Sequence, residues 1–395
     1  MWIVELLLLL YFTYVVTYTL VFAIGGLCYT SPKLHETGNR ARFCVLMPAY
    51  KEDAVILESV KGNLKQTYST DFFDIVVIAD SLKQETIRAL SEFPIKVIPV
   101  SFENSTKVKA LNKCLSELSE EYDYGVILDA DNVMEPTFLE RMNDLYQTGD
   151  LSIIQGQRKP KNSNNTLSFL DGLSEAINNH IYRQGTTALK MSSSINGSGI
   201  AFAYPLLKQK LLNMTSVGGF DRELELLLIN DGYKVFYFRD AVVYDEKVSK
   251  SQSFKNQRTR WIYSQYFYLA KYFVPGIVSL LKGNFTFFNS AVLRNIQLPR
   301  LLNIGLLTVF TVSSLFLDQY LPFGAIWWLL LFAIHALAIF LSIPKEYFTV
   351  QLLKAIVHLP IIFVQMILIL FKLKGSNKRF IHTPHGLTST SKENR

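Results

Sequence analysis

Cysteine and charged residues are both scarce in this chain of 395 residues. Its three cysteines form no C-x-x-C pair and no Cys/His cluster, which excludes a disulfide framework and argues against a zinc site. Charged residues make up 18% and apolar residues 49%, whereas a soluble domain has about a quarter charged residues. The net charge of +7 comes without a basic block or a basic stripe carrying aromatic residues, so we expect no nucleic acid partner.

Phosphate-binding glycine motifs are also missing. The chain has no Walker A pattern and no G-x-G-x-x-G, and Gly197-Ser198-Gly199 does not provide one. This absence disfavours an ATPase or a dinucleotide-dependent enzyme. The modest positive charge instead suits contact with anionic lipids or with a phosphorylated substrate.

The apolar residues gather at the two ends of the chain. Residues 2–27 contain one charged side chain, Glu5, and are long enough to cross a bilayer. Because a basic start and a small-residue cleavage site are lacking, we predict a retained anchor over residues 1–28 rather than a signal peptide. Three more apolar stretches near the C-terminus bring the expected number of spans to about four. They cover residues 301–317, 321–344 and 355–371.

The distribution of Lys and Arg predicts the orientation. Basic residues follow the anchor, so the region after it is expected in the cytoplasm. With four spans, the same rule places the C-terminal tail on the outer side of the membrane. This position conflicts with the tail's basic residues unless one C-terminal segment is interfacial or re-entrant. We divide the rest of the chain into a soluble domain, interfacial helices, transmembrane helices and a tail. These cover residues 41–265, 266–298, 299–372 and 373–395.

The soluble region alternates short apolar runs with amphipathic stretches. The runs predict buried strands, and the stretches between them predict helices, for example over residues 84–90 and 107–118. Alternation at this spacing indicates a parallel sheet with helices on both faces. The predicted strands cover residues 43–47, 74–79, 95–100 and 124–128.

Acidic residues follow three of these strands. Glu52 comes after the first, Asp80 after the second, and Asp129-Ala130-Asp131 after the fourth. Each alone could cap the next helix, but ligands bind at the carboxyl ends of parallel strands, where the three ends converge. In an extended segment Asp129 and Asp131 point the same way. The pair could therefore hold Mg²⁺ or Mn²⁺, whose shell substrate phosphates complete.

In chain order, these motifs and Gln257-Arg258-Thr259-Arg260-Trp261 resemble family 2 glycosyltransferases of the membrane-embedded type. That group includes cellulose, chitin, hyaluronan and poly-N-acetylglucosamine synthases and ceramide glucosyltransferases. The resemblance covers about residues 41–265. It implies an α/β GT-A fold, a Rossmann-like mixed sheet that binds nucleotide-diphospho-sugars, flanked by transmembrane helices. It also implies a metal-dependent hexosyltransferase of a bacterial inner or cell membrane.

Individual roles follow from the same resemblance. Asp80 would contact the nucleoside, and Asp129 and Asp131 would form the D-x-D metal site, with Asp131 as the direct ligand. Lys51 and Thr106 depart from the family, which usually has Asn and Gly there. The donor-binding residues implied are Pro48, Tyr50, Glu52, Asp80, Lys107, Asp129, Gln257 and Arg260. The acceptor-binding residues implied are Gly197 and Trp261.

The catalytic base is the least regular position. The family's E-D motif is replaced by Gly219-Phe220-Asp221-Arg222-Glu223-Leu224-Glu225. Counting back from Gly232 without a gap assigns the base to Asp221, whereas an alternative alignment assigns it to Glu223. Both carboxylates could instead merely stabilise the start of a helix.

The expected reaction is inverting transfer of a sugar from a nucleotide-sugar donor. We expect a UDP-linked hexose or N-acetylhexosamine as donor and a growing glycan or a lipid-linked acceptor. Membrane lipids are the other expected partners. A single-transfer glycolipid synthase is one alternative, and a non-catalytic membrane scaffold with a nucleotide-sugar-binding fold is another. The presence of the acidic and cationic site residues argues against the scaffold.

Overall fold

The computed structural model describes residues 2–34, 38–119, 121–212, 214, 219–248 and 251–371. The predicted tail, residues 373–395, lies outside this range. The chain divides into two compact units. An α/β unit contains Ser31–Asn164 and Ser192–Ser264, and a helical unit contains Met1–Thr30, Asn165–Met191 and Gln265–Lys374. The segment Asn165–Met191 thus groups with the helices, although the sequence assigned it to the soluble domain.

The described residues of the α/β unit form one sheet of eight strands. In chain order they are β1 (Phe43–Tyr50), β2 (Phe73–Asp80), β3 (Lys96–Val100), β4 (Tyr124–Ile127), β5 (Val133–Met134), β6 (Ile153–Pro160), β7 (Ile200–Ala203) and β8 (Phe236–Asp245). Across the sheet the order is β3-β2-β1-β4-β7-β6-β8-β5.

The α-helices of the described residues belong to both units. They are α1 (Trp2–Leu27), α2 (Ile56–Asn63), α3 (Gln84–Leu90), α4 (Lys107–Glu117), α5 (Phe138–Tyr146), α6 (Thr166–Asn178), α7 (Thr186–Ala188), α8 (Tyr204–Leu212), α9 (Phe220–Asn230), α10 (Ser251–Leu281), α11 (Phe285–Phe288), α12 (Arg294–Ile296), α13 (Arg300–Leu317), α14 (Ala325–Leu341) and α15 (Val350–Phe371). Two π-helical turns cover Asn179–Gly185 and Asn289–Leu293.

The sheet is mixed, which confirms the sheet that the resemblance implies, and the four strands predicted from the sequence form its parallel part. Strands β1 to β4 are parallel to one another. Beyond them, β7 runs antiparallel to both β4 and β6, β8 is parallel to β6, and β5 is antiparallel to β8. The alternation of strands and helices indicates parallel pairing only where a helix crosses over between neighbouring strands. It does not extend to the antiparallel strands.

Strand β1 lies at the centre of the core. Val45 and Met47 pack into one apolar cluster, and Cys44 and Leu46 pack into another. This division follows from the alternation of side chains along a strand, with both faces covered by helices. Its register pairs Tyr50 with Asp80. The carboxyl ends of β1 and β2 are therefore level, and the loops that follow them begin side by side.

Three helical segments among the described residues are long and apolar enough to cross a membrane: Trp2–Leu27, Arg300–Tyr320 and Val350–Phe371. Helix α14 is apolar but shorter, with 17 residues. Within the helical unit, Phe12 of α1 packs edge-on against Trp328 of α14, with ring centroids 6.0 Å apart. Tyr11 donates a hydrogen bond of 2.9 Å to Asn303 Oδ1. Helix α10 continues without a break through Pro275.

Candidate active site

Lys107 links three parts of the α/β unit. It is the first residue of α4, after Thr106, whose side chain caps the helix by accepting from the backbone N–H of Lys109 at 3.2 Å. The Lys107 ammonium forms an ion pair with Asp129 Oδ1 and donates a hydrogen bond of 2.8 Å to the carbonyl of Gly197. One predicted donor-binding residue is thus in contact with another and with a predicted acceptor-binding residue.

Ser198 holds the D-x-D segment in place, a role that was not predicted from the sequence. Its hydroxyl accepts a hydrogen bond of 2.9 Å from the backbone N–H of Asp129 and one of 2.6 Å from the Asn132 side chain. The glycines on either side have left-handed backbone conformations, with φ of +80° at Gly197 and +62° at Gly199. The Gly-Ser-Gly sequence was the available signal, since two glycines around a hydroxyl residue are typical of a tight loop that approaches other backbone.

Asp131 is almost completely buried, with 7% of its surface exposed. Its Oδ2 accepts a hydrogen bond of 3.4 Å from the backbone N–H of Glu246. The described residues contain no group of three or more His, Cys, Asp or Glu side chains that would enclose a metal ion. Asp129 and Asp131 lie in a turn, in which the Asn132 N–H donates a hydrogen bond of 3.0 Å to the Asp129 carbonyl, and not in the extended segment that the sequence led us to expect. They offer carboxylate oxygens from two nearby positions. This donor set fits Mg²⁺ or Mn²⁺, which take their remaining ligands from water and substrate phosphates.

Asp80 has an environment that opposes ionisation. Burial raises the pKa of its carboxyl above the ordinary value of 3.8. Hydrogen bonds of 3.0 Å from the hydroxyls of Ser105 and Ser81 and the charge of Lys51 act in the other direction. Ser105 is a second residue whose contact was not predicted from the sequence. Its position shortly before Lys107 carries no motif signal, and its role follows from the tertiary contact alone.

The ends of β1 and β2 have unusual backbone conformations. Lys51 and Ser81 both have positive φ, of 56° and 58°, which side chains with a Cβ rarely adopt. The Lys51 N–H donates a hydrogen bond of 3.1 Å to the Asp80 carbonyl. Two non-glycine residues in this conformation beside Asp80 indicate local backbone strain, which clusters at functional sites in proteins. The other predicted donor-binding residues here, Pro48, Tyr50 and Glu52, lie at the end of β1 or just after it and are partly buried.

Asp221 lies beside the Gly197 loop. A Cβ atom placed on Gly197 would be 3.5 Å from the Asp221 Cβ and 3.8 Å from its carboxyl carbon. Asp221 lies in the first turn of α9, one residue after Phe220, whose ring is 4.8 Å from the Lys107 ammonium. The carboxylate is partly exposed. The structure therefore brings Asp221 close to the Lys107–Asp129 pair.

The neighbouring glutamates are more deeply buried. Glu223 has 8% of its surface exposed. Glu225 is fully buried, accepts a hydrogen bond of 3.0 Å from the backbone N–H of Ile195, and lies 3.7 Å from the Arg222 guanidinium. Glu225 thus supports the segment that leads into the Gly197 loop. Of the three acidic residues in this region, Asp221 has the most accessible carboxylate.

Helix α10 contributes Gln257, Arg260 and Trp261 to one helical face. Burial lowers the pKa of Arg260, and the negative charges of Asp221 and Asp129 oppose this shift. The guanidinium is therefore within electrostatic range of both carboxylates. Gln257 Oε1 is buried without a hydrogen-bond partner among the described residues. Trp261 is 39% exposed, and the Arg258 guanidinium lies 4.5 Å from the centre of its ring.

The family comparison matches most of the α/β unit. Residues 41–264 match the model described as "Glycosyltransferase like family 2". A curated relative, "Probable glycosyltransferase YdaM" of Bacillus subtilis (strain 168), is 24% identical over 334 residues, which cover 76% of this chain and 74% of the relative.

A solved structure has the same fold. The mannosyltransferase PcManGT from Pyrobaculum calidifontis, in complex with GDP-Man and Mn²⁺, is 17% identical with a TM-score of 0.51. The similarity covers 85% of this chain and 96% of that one. Together with the mixed sheet, this confirms the predicted GT-A fold.

Proposed function

The chain belongs to glycosyltransferase-like family 2, and on that basis we propose that it is an inverting enzyme of a membrane. It transfers a sugar from a nucleotide-sugar donor to a hydroxyl of a growing glycan or a lipid-linked acceptor. One observation carries the proposal: Lys107 contacts Asp129 and Gly197, and Asp221 lies next to that glycine. Charged groups suited to a diphosphate and a carboxylate suited to a proton are thus close together.

The donor is a nucleotide-sugar, and we propose a UDP-linked hexose or N-acetylhexosamine. Asp80, at the end of β2, accepts hydrogen bonds from the nucleoside. The buried and unpartnered Oε1 of Gln257 offers a further acceptor for a hydroxyl or an N–H of the donor. The PcManGT structure contains GDP-Man, so the donor test below includes GDP-sugars.

Two cationic side chains stabilise the leaving group. As the bond between the sugar C1 and the phosphate oxygen breaks, negative charge grows on the nucleoside diphosphate. The Lys107 ammonium and the Arg260 guanidinium stabilise that charge. A divalent cation held by Asp129 and Asp131 supplies further electrostatic stabilisation of the diphosphate when it is bound. The PcManGT structure contains Mn²⁺.

Asp221 acts as the general base. Its carboxylate takes the proton of the acceptor hydroxyl while the acceptor oxygen forms its bond to C1. The nucleoside diphosphate leaves from the opposite side, so the configuration at C1 is inverted. Trp261 offers a partly exposed ring on which an acceptor sugar can stack, and its contact with Arg258 holds the ring in place. Gly197 keeps the space beside Asp221 free of a side chain.

The helical unit anchors the enzyme in the membrane. Three of its segments are long and apolar enough to cross a bilayer. The basic residues that follow α1 suit a cytoplasmic α/β unit, where nucleotide-sugars are available. Membrane lipids then surround the apolar helices.

The test is nucleoside diphosphate release by the purified chain in detergent, with Mg²⁺ or Mn²⁺ and a panel of UDP- and GDP-sugars. Lipid and oligosaccharide acceptors are supplied in the same reactions. We expect metal-dependent release with one donor and its loss in Asp131→Ala. The matched variant Asp231→Ala, which changes an aspartate paired with Lys210, should retain the activity. Absence of release from every donor by a folded protein would refute the proposal and favour the scaffold alternative.

A further inference from the structure

A buried charge cluster lies at the end of β8, outside the residues assigned so far. Asp245 Oδ2 is 3.3 Å from Arg158 Nε and accepts a hydrogen bond of 2.8 Å from Lys247 Nζ. All three side chains are largely buried, with 13% of Arg158, 11% of Asp245 and 3% of Lys247 exposed. Even for paired charges, the free-energy cost of removing them from water can exceed the gain from their attraction. An ionic group inside this unit therefore needs an explanation beyond stability.

The cluster continues directly into the contact on Asp131. Glu246 stands between Asp245 and Lys247, and its backbone N–H donates to Asp131 Oδ2 at 3.4 Å. The same short segment is held from its other side by Asn162. The Asn162 side chain accepts from the Lys247 N–H at 2.7 Å and donates to the Lys247 carbonyl at 3.3 Å. The direction of the Glu246 N–H is therefore fixed by the residues on both sides of it.

Arg158 also reaches toward the other carboxylate of the D-x-D segment. Its Nη1 donates a hydrogen bond of 3.5 Å to the carbonyl of Asn196. The next residue, Gly197, accepts from Lys107, which is paired with Asp129. The Arg158 guanidinium thus connects the cluster to the segments that hold Asp129 and Asp131.

We propose that Arg158, Asp245 and Lys247 are positioning residues for the D-x-D carboxylates. They orient the Glu246 N–H on Asp131 and the Asn196–Gly197 carbonyls near Lys107, so that both carboxylates are preorganised for the cation. This inference rests on the proposed function, because it concerns the affinity of the same site. Groups that orient metal ligands from behind typically contribute 10- to 100-fold to metal affinity.

Electrostatics alone and the positioning role predict opposite effects of removing Arg158 on the affinity for the metal cation, which makes the inference testable. The cluster carries one positive charge in excess, since two cations surround one carboxylate. Removing a cation from the neighbourhood of Asp131 should strengthen cation binding if only Coulomb forces act. If Arg158 acts by positioning, its removal should weaken cation binding instead. In Arg158→Gln the Asp245 carboxylate keeps its hydrogen bond from Lys247, so the fold has a remaining partner for the buried charge.

The experiment titrates Mn²⁺ into the full chain in detergent, with and without UDP, and measures free Mn²⁺ by electron paramagnetic resonance. We expect Arg158→Gln to bind Mn²⁺ about tenfold more weakly than the wild type, and saturating Mn²⁺ to restore the rate of nucleoside diphosphate release. Arg42→Gln is the matched control, because Asp74 also lies between an Arg and a Lys, at the opposite end of β2. It should leave Mn²⁺ affinity unchanged.

The outcomes separate this inference from the proposed function. Equal or tighter Mn²⁺ binding by Arg158→Gln would overturn the positioning role while leaving the proposed function intact. A wild-type protein that binds no Mn²⁺ even with UDP would instead overturn the proposed metal-dependent reaction. If Arg158→Gln does not fold, Lys247→Met provides the same sign test, because it also removes a cation and leaves the Arg158–Asp245 pair.

Discussion

Lys107 and Asp129 form an ion pair although they are 22 positions apart in sequence. One is the first residue of α4, and the other follows β4. The same ammonium group donates to the Gly197 carbonyl, so a single side chain connects the start of a helix, the end of a strand and a glycine loop. Residues from three separate sequence motifs are therefore in direct contact at the candidate site.

Replacing Lys107 tests its role in stabilising the leaving group. Lys107→Met should lower kcat/KM for the donor by about a hundredfold, a typical loss when one charge-stabilising group is removed. Lys109→Met is the matched control, because Lys109 lies on the same helix and its ammonium donates to the exposed Asn104 carbonyl. Steady-state kinetics of both variants decide the matter. Equal effects of the two substitutions would remove Lys107 from the mechanism.

The Gly197 loop offers a test of geometry. Gly197→Ala should destabilise the fold by about 1 kcal/mol, because a Cβ is strained at a φ of +80°. It should also lower the rate of transfer, since the new methyl group contacts Asp221. Gly232→Ala has a similar φ of +85° but open space around the added atom. Thermal unfolding should therefore shift alike in both variants, and a comparable loss of activity in Gly232→Ala would contradict the account.

Ser105 should control the pH dependence of donor binding through Asp80. Its hydrogen bond favours the ionised carboxylate and so lowers the pKa of Asp80. In Ser105→Ala that pKa should rise. The ionised carboxylate is the form that accepts the hydrogen bond from the nucleoside. On acidification, UDP affinity should therefore begin to fall at a higher pH in Ser105→Ala than in the wild type. UDP titrations test this at a series of pH values that starts at 3.8, the ordinary pKa of aspartate. Ser116→Ala serves as the control. If UDP affinity falls at the same pH in Ser105→Ala and in the wild type, Asp80 is excluded as the titrating group.

Lys51 has a left-handed backbone that asparagine tolerates better. Lys51→Asn should therefore stabilise the protein by about 0.5 kcal/mol, a rise in Tm of roughly 1–2 °C. Lys51→Gln removes the same charge without the advantage of asparagine in this conformation, so it should not raise Tm. The two melting curves in detergent provide the comparison. A lower Tm for Lys51→Asn than for Lys51→Gln would show that the strain at this position is not relieved.

The sequence predicted the parallel part of the fold well, because its signals are local. The apolar runs of β1 to β4 and the amphipathic helices between them have clear periods. Strand β6 carries polar residues over half its length, and β7 has four residues, so neither gives a strong local signal. Their antiparallel pairing depends on contacts between distant segments.

The candidate site divides in the same way. Asp80, Asp129 and Asp131 can be proposed from the sequence because each lies at or just after the end of a predicted strand, where ligands bind in parallel sheets. Ser105, Ser198 and Arg158 cannot, because each acts through a partner far away in sequence: Asp80, Asp129 and Asn196. The choice between Asp221 and Glu223 could not be made from spacing alone. The proximity of Asp221 to Gly197 favours it as a proposal.

In the proposed reaction, Asp221 and the Lys107–Asp129 pair act together in sugar transfer. The most direct measurement is incorporation of label from a radioactive nucleotide-sugar into acceptor, by membranes that contain wild type, Asp221→Asn or Glu223→Gln. We predict a loss of about a hundredfold or more for Asp221→Asn, the contribution expected of a general base, and a much smaller loss for Glu223→Gln. Equal incorporation by wild type and Asp221→Asn would contradict the account.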